Sequence, residues 1–292
     1  MKRLMTYFTL LAATTAAFAL SPAEVGQAME KNFGKPETFE EKKAGDDLAC
    51  QSYYYRDLNG KPRAISILIA KPSAKLKVKL VRPEKLTEVS QQLEASGAVA
   101  AINGTYFGIG KADKKLFDSG LLKIDGAIHP DSSSERAEQR PWGGYFWIRG
   151  ADCGIDGMAD FKAEDKTELL WGHPLLLKAG QVNPLIPKES SHMTAPHPRT
   201  AIGKSADGTL LMVVIDGRHA DKATGMPCVE LAEFMAKIGG VEALNLDGGG
   251  SSTLVWRNAE TGNAEVISHP SDNKLFDHQG ERKVLTTIQL FR

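Results

Sequence analysis

Two apolar runs that stop in the same way fix the centre of this chain. "TLLMVVIDGR" (209–218) and "VEALNLDGGG" (241–250) each read as a buried strand that ends on Asp-Gly, at Asp216-Gly217 and Asp247-Gly248. Between them Pro227 opens a helical segment with Leu231, Phe234, Met235 and Ile238 on one face, closed by Gly239-Gly240. If the two strands run parallel, a right-handed crossover brings both of their carboxyl ends to one edge of a sheet. Asp216 and Asp247 would then face one cleft, where open α/β sheets receive ligands. Each Asp can equally organise its own turn through hydrogen bonds to nearby amides.

The second run continues as "ALNLDGGGSSTLVW" (243–256), with three glycines and two serines between apolar segments. Each glycine is an entropic cost on folding, so the cluster implies a loop that something approaches closely. A tight hairpin between two strands satisfies the same pattern.

A similar order occurs earlier. Pro83 precedes Leu86, Val89 and Leu93 at helical spacing, Gly97 supplies a stop, and "AVAAI" leads into Asn103-Gly104. An internal duplication accounts for this, as does chance, since glycine-capped helices before strands are common. "RAISILIAKP" (63–72) and "KLKVKLVRP" (75–83) have strand character, the second alternating Leu76, Val78 and Leu80 with lysines.

The chain starts with a charged pair, Lys2 and Arg3, then an apolar stretch to Leu20 carrying Ala17-Phe18-Ala19. This pattern predicts a signal peptide over 1–19 cut after Ala19, and hence an exported, periplasmic or secreted protein. No Cys follows the cut to take a lipid, and no later segment approaches the roughly 20 apolar residues of a spanning helix, so no membrane anchor is expected. The remaining 273 residues hold 34 basic and 36 acidic groups, a net charge of −2 that argues against nucleic-acid partners. Residues 20–49 include "EEKKAGDD" and read as a polar lead-in, with one packed domain over 50–292.

Several chemistries find no support. Gly249-Gly250-Ser251-Ser252-Thr253 lacks the second glycine of a nucleophile elbow, which weakens a serine hydrolase based on Ser251 or Ser252. "GIGK" (108–111) is a fragment of a dinucleotide fingerprint, and "DCGIDG" (152–157) fails as a calcium loop at its third and twelfth positions. His129, His173, His197 and His269 each precede Pro, which suits extended backbone better than a ligand-bearing helix. Cys50, Cys153 and Cys228 allow three single disulfide pairings, and export permits any of them. Cys228, just after Pro227 at a helix start, sits where a helix dipole favours a thiolate, although burial or a disulfide is the commoner fate.

Five stretches carry a family resemblance: "AAINGTYF" (100–107), "GHPLLLKAG" (172–180), "HPRTAIG" (197–203), "VVIDGR" (213–218) and "ALNLDGGGSST" (243–253). In this order they resemble the motifs of the phosphodiester glycosidase domain, over roughly residues 60–292. The resemblance implies hydrolysis at the anomeric carbon of a sugar whose leaving group is a phosphodiester oxygen. Such a leaving group needs little acid assistance, so a cationic clamp matters more. On this reading Arg199 and Arg218 hold phosphate oxygens, and the amides of Gly248, Gly249 and Gly250 approach the same group. Asp216 or Asp247 supplies the nucleophile or activates water, Asn103 and Asn245 hold sugar hydroxyls, and Ser251 and Ser252 line the loop. "GERKVLTTIQLF" resembles the family's closing strand and makes Glu281 and Arg282 secondary candidates. The segment 257–280, with "HPSDNKLFDHQ", departs from the family pattern.

The expected fold is α+β, a central mixed sheet with packed helices in a single catalytic domain. The expected partner is a glycan or sugar-1-phosphate diester. No cofactor is required by the motifs, and the family admits a divalent ion with Asp247 as a ligand. A non-catalytic carbohydrate-binding or envelope-maintenance protein that keeps the cleft is the alternative. In either reading Arg218 could instead close a surface ion pair with Asp216, and Arg199 could pack against Asp247.

Overall fold

A computed structural model of the protein describes residues 20–112, 114–133 and 135–292; the expected signal peptide lies outside the described residues. The largest sheet has eight strands in the order Thr38–Lys43, Leu48–Arg56, Pro62–Ala70, Leu210–Ile215, Arg199–Ser205, Gly240–Asn245, Leu175–Lys178 and Gln181–Val182. A five-stranded sheet runs Ala264–Val266, Leu254–Arg257, Ala100–Asn103, Thr287–Phe291 and Lys77–Val81. A second five-stranded sheet centres on Gly144–Arg149 and Glu168–Gly172, and a three-stranded sheet involves Phe107–Ile109, Leu116–Ser119 and Ser132–Ser133.

The main core lies between the faces of these sheets. Leu68, Met212, Val214, Ile202 and Leu244 of the eight-stranded sheet meet Ile102, Leu254 and Ile288 of one five-stranded sheet and Phe146 and Leu170 of the other. On the opposite face of the large sheet, Ile65, Ile67, Ile69, Leu211, Val213 and Ile215 pack under the helices Pro22–Phe33 and Cys228–Lys237. Both faces are therefore covered. This is why "ILIA" (67–70) and "LLMVVI" (210–215) are unbroken apolar runs instead of alternating ones.

The α+β class is as expected. Its mixed character comes from one parallel pair, Ser132–Ser133 with Leu116–Ser119, whereas all neighbours within the eight-stranded sheet are antiparallel. Leu210–Ile215 and Gly240–Asn245 do run parallel to each other, because Arg199–Ser205 lies antiparallel between them. Cys228–Lys237 connects them and rests its apolar side on the sheet, with Met235 against Gly203, where any β-carbon would collide with its methyl.

Residues 20–49, expected as a loose lead-in, belong to the packed domain. Ser21 and Glu24 form a capping box at the start of Pro22–Phe33, which buries Val25 and Met29, and Thr38–Lys43 forms the edge strand. The helix foreseen after Pro83 begins only at Val89, because Thr87 first bridges to Val284; it ends on left-handed Gly97 as foreseen. Among the described residues no helix is long and apolar enough to cross a membrane.

Candidate active site

The site follows from the strand order. Because Arg199–Ser205 runs against both neighbours, its first residue lies beside their last ones: Arg199 is opposite Ile215, and Ala201 is opposite Asn245. The loops after Ile215 and Asn245 therefore leave the same edge, about two strand spacings or ~10 Å apart. The five-stranded sheet brings a third strand end to this point. Asn103 donates through Nδ2 to the carbonyl of Asp247 at 2.7 Å, while its Oδ1 accepts from Thr200 Oγ1 at 2.7 Å and from the Thr253 amide at 3.1 Å. Asn103 is fully buried and its amide is committed to the protein. It is a strut between the sheets, with no atom left for the sugar hydroxyl expected of it.

Asn245 closes the matching strand of the other sheet. Its Nδ2 is shared among the Tyr106 hydroxyl at 2.9 Å, the His173 carbonyl at 2.8 Å and the Leu246 carbonyl at 2.9 Å. Its buried Oδ1 has no partner among the described residues. An open buried acceptor of this kind calls for a water or a ligand hydroxyl.

Each of the three loop glycines faces a different wall. A β-carbon on Gly248 would stand 2.8 Å from the Pro198 carbonyl. Gly249 has φ +63°, and a β-carbon there would lie 2.8 Å from Arg218 Nη2. On Gly250 it would collide with the Asp272 carboxylate and Arg282. Gly249–Ser251 is a single 3-10 turn, and the Gly249 amide donates to the Pro198 carbonyl at 2.9 Å. Ser251 and Ser252 are buried beneath the turn, and no hydrogen bond joins either hydroxyl to a histidine. The loop is thus a floor, with Arg218 and Arg282 lying on it.

The two aspartates have different situations. Asp216 is 2% exposed; Oδ1 accepts from the His269 amide at 2.9 Å and Oδ2 meets His269 Nδ1 at 2.8 Å. Neither the expected nucleophilic role nor an ion pair with Arg218 fits a carboxylate so fully occupied. Asp247 is half-buried yet densely surrounded. Burial pushes its carboxyl up to about 6, against the opposing influence of the Ser251 hydroxyl, the Arg282 charge and the Gly248 amide. A carboxyl poised there is suited to proton transfer near neutral pH.

The arginines also divide. Arg199 is 1% exposed and spends Nε on the Met226 carbonyl at 2.9 Å and Nη2 on the His192 and Ala195 carbonyls at 2.7 and 3.1 Å. It is a buried tie-post for the 192–195 turn and forms no ion pair with Asp247; Nη1 is the part of the guanidinium not spent on these carbonyls. Arg218 (45% exposed) reaches Ser271 Oγ at 3.3 Å, and Arg282 (40% exposed) forms a two-pronged pair with Asp272 at 2.8 and 2.9 Å. Glu281, its neighbour, instead turns inward and accepts from the Ser90 amide and hydroxyl at the start of Val89–Ser96.

An aromatic wall completes the site. Tyr106 stacks on His173 with ring centres 4.5 Å apart, Trp171 lies 4.8 Å from the same ring, and His192 stands 6.0 Å away. Burial, then the nearby Asp247 charge, raises the Tyr106 hydroxyl well above its ordinary range. Burial first, then Arg199, lowers His192 to about 4, so it is neutral at pH 7. Tyr106 and His173 stood inside motifs quoted above but had been given no role. His269 had no local sign at all, because its partner lies 53 residues away.

Among the described residues no group of three or more His, Cys, Asp or Glu side chains is placed to hold a metal ion. With Asp216 occupied by His269, the carboxylate and imidazole set beside Asp247 does not fit a divalent ion. The three cysteines are unpaired; Cys228 is buried, the commoner of its two fates, and burial raises its thiol above its ordinary value against the opposing pull of Arg199. A cavity of about 670 Å³ lies at the far ends of the same strands, lined by Lys71, Lys75, Lys77 and Lys204 over Leu210 and Leu290. It contains none of the motif residues.

The sequence model of phosphodiester glycosidases matches residues 96–291. The chain belongs to the phosphodiester glycosidase family. Within it, the N-acetylglucosamine-1-phosphodiester alpha-N-acetylglucosaminidases of Bos taurus and Homo sapiens are 40% and 41% identical to this chain over 75 residues, 26% of its length. The match spans 13% of each of those proteins. The SPbeta prophage-derived protein YomE of Bacillus subtilis (strain 168) is 30% identical over 106 residues, 32% of this chain and 16% of that one. In three dimensions the chain resembles the catalytic domain of the zebrafish N-acetylglucosamine-1-phosphodiester alpha-N-acetylglucosaminidase, auto-inhibited by its pro-peptide. The TM-score is 0.62 at 21% identity, covering 87% of this chain and 88% of that one. A Burkholderia pseudomallei K96243 protein, provisionally named as exported, gives a TM-score of 0.58 at 17% identity, covering 80% and 74%. At these identities the structural likeness speaks for the fold.

Proposed function

We propose that this chain is an exported glycosidase that hydrolyses the bond between a sugar's anomeric carbon and a phosphodiester oxygen, in an envelope or extracellular glycan. The observation that carries this reading is the placement of Asp247, a carboxyl poised near neutrality, beside a glycine floor bordered by Arg218 and Arg282. A sugar phosphodiester needs these features together: close backbone approach and positive charge for the phosphate, and one carboxylate for the anomeric centre.

In the reaction the ionised Asp247 attacks the anomeric carbon or takes a proton from the attacking water. The phosphate leaves as a monoester anion and requires little protonation, so Arg218 and Arg282 stabilise its growing charge. Tyr106, backed by the buried rings of His173 and Trp171, borders the sugar, and Asn245 Oδ1 accepts from one of its hydroxyls. His269 and Asp216 act as a unit that holds the 268–272 segment, and with it Ser271 and Asp272, against Arg218. Export is supported by the leader pattern over 1–19 and by the designation of the Burkholderia relative.

The test is release of free sugar from a panel of sugar-1-phosphate diesters by the purified chain, with Asp247→Asn as control. Release by the wild type and its loss in the variant support the reading. Intact diesters after prolonged incubation, bound with affinity that falls on Arg218→Ala, would make the chain a binding protein instead.

A further inference from the structure

Asp272 belongs to the segment that departs from the family pattern, yet it occupies the centre of the site. Its carboxylate takes Nε and Nη2 of Arg282 at 2.8 and 2.9 Å, stands 4.0 Å from Arg218 Nη1, and lies where a β-carbon on Gly250 would be. An anion is thus already seated on the glycine floor between the two exposed guanidinium groups. Two cations and one fixed anion leave this seat with a net charge of +1, and Asp247 adds further negative charge on its inner side when ionised.

We propose that Asp272 is a specificity-determining residue that tunes the Arg218–Arg282 seat to a monoanionic phosphodiester and disfavours the dianion of a phosphomonoester. A diester carries one negative charge whatever its substituents, so it meets the Asp272 carboxylate with that single charge. A monoester at pH 8 brings a second charge against the Asp272 carboxylate. The inference rests on the proposed glycosidase reading, but its test is independent of turnover.

Methyl phosphate, a dianion at pH 8, and dimethyl phosphate, a monoanion, are titrated into the full chain while the arginine Nε–H signals are followed by NMR. In Asp272→Asn the shape of the side chain is kept and its charge is lost. Methyl phosphate should tighten roughly fivefold relative to dimethyl phosphate, the size of one unit charge acting at about 4 Å in a watery site. The shift should shrink as salt is raised from 20 to 500 mM. Equal weakening of both probes in Asp272→Asn would make Asp272 a scaffold for the arginines and overturn the proposal, as would an unchanged ratio or no binding to either protein. Turnover of a sugar diester with an unchanged ratio would leave the glycosidase reading standing without this one. A changed ratio without turnover would do the reverse.

Discussion

Asp216 gives both of its carboxylate oxygens to one residue: the His269 amide lies 2.9 Å from Oδ1 and the ring Nδ1 lies 2.8 Å from Oδ2. The pair ties the end of the large sheet to the loop that carries Ser271 and Asp272, and the His269 ring is stacked on Phe276 at 3.9 Å.

Asp216→Asn should therefore act first on stability. Loss of a buried hydrogen bond to a charged group is worth about 1.5–3 kcal/mol. Denaturant unfolding of Asp216→Asn, His269→Ala and the double variant should give a coupling energy of about 1 kcal/mol or more. Additive effects would mean that the two residues do not act as a pair.

Asp247→Asn should lower kcat by a factor of about 10² to 10⁴ while leaving the fold intact, the usual contribution of a positioned acid or base. In the wild type the rate should rise with pH through about 6, as the carboxyl ionises. The stability effect has the opposite sense. Because the folded value, about 6, exceeds the ordinary 3.8, the folded state binds the proton more tightly, and this contribution is full below pH 3.8 and lost as pH rises through 6. Asp247→Asn should then be more stable than the wild type at pH 8, and any advantage should vanish by pH 3.5; circular dichroism with denaturant reads both.

Gly249→Ala and Gly250→Ala should fail for different reasons. At Gly249 the backbone is left-handed, so alanine costs about 1 kcal/mol and pushes on Arg218. At Gly250 the methyl group must displace Asp272 and Arg282, so KM for a diester should rise more than kcat falls. Steady-state kinetics on both variants would show the difference.

Ser90→Ala should cost about 1 kcal/mol of stability with kcat unchanged, because both Glu281 carboxylate oxygens are engaged by Ser90 at the start of Val89–Ser96. A loss of activity comparable with that of Arg282→Ala would place Glu281 in the site after all.

The parts of the fold that were legible are those written in local pattern. Leu210–Ile215, Cys228–Lys237 and Gly240–Asn245 could be read from apolar runs, helical spacing and glycine stops, and so could the convergence of their ends. The strand that lies between them could not, because Arg199–Ser205 comes from earlier in the chain and its insertion is a tertiary event. For the same reason nothing beside Arg199 in the sequence shows that it is buried and tied to the carbonyls of Met226, His192 and Ala195. Polarity alone makes residues 20–49 read as loose, whereas Ser21 with Glu24 three residues on, followed by Val25 and Met29, is the signature of a capped amphipathic helix. Asp216–His269 and Arg282–Asp272 are long-range pairs, and spacing says nothing about such contacts.

Asn103 and Asn245 end corresponding strands of two different sheets, and the Asp247 backbone is held from both sides: its carbonyl by Asn103, its amide on the Gly104 carbonyl, and the preceding Leu246 amide on Thr200. The reactive carboxyl therefore sits on a seam. A slip of one sheet past the other by a fraction of an ångström would be transmitted to it with no intervening loop to absorb the movement. Substitutions buried far from the cleft, in either layer, should consequently register as altered reactivity before they register as unfolding, which makes the site a gauge of how well the whole domain is assembled.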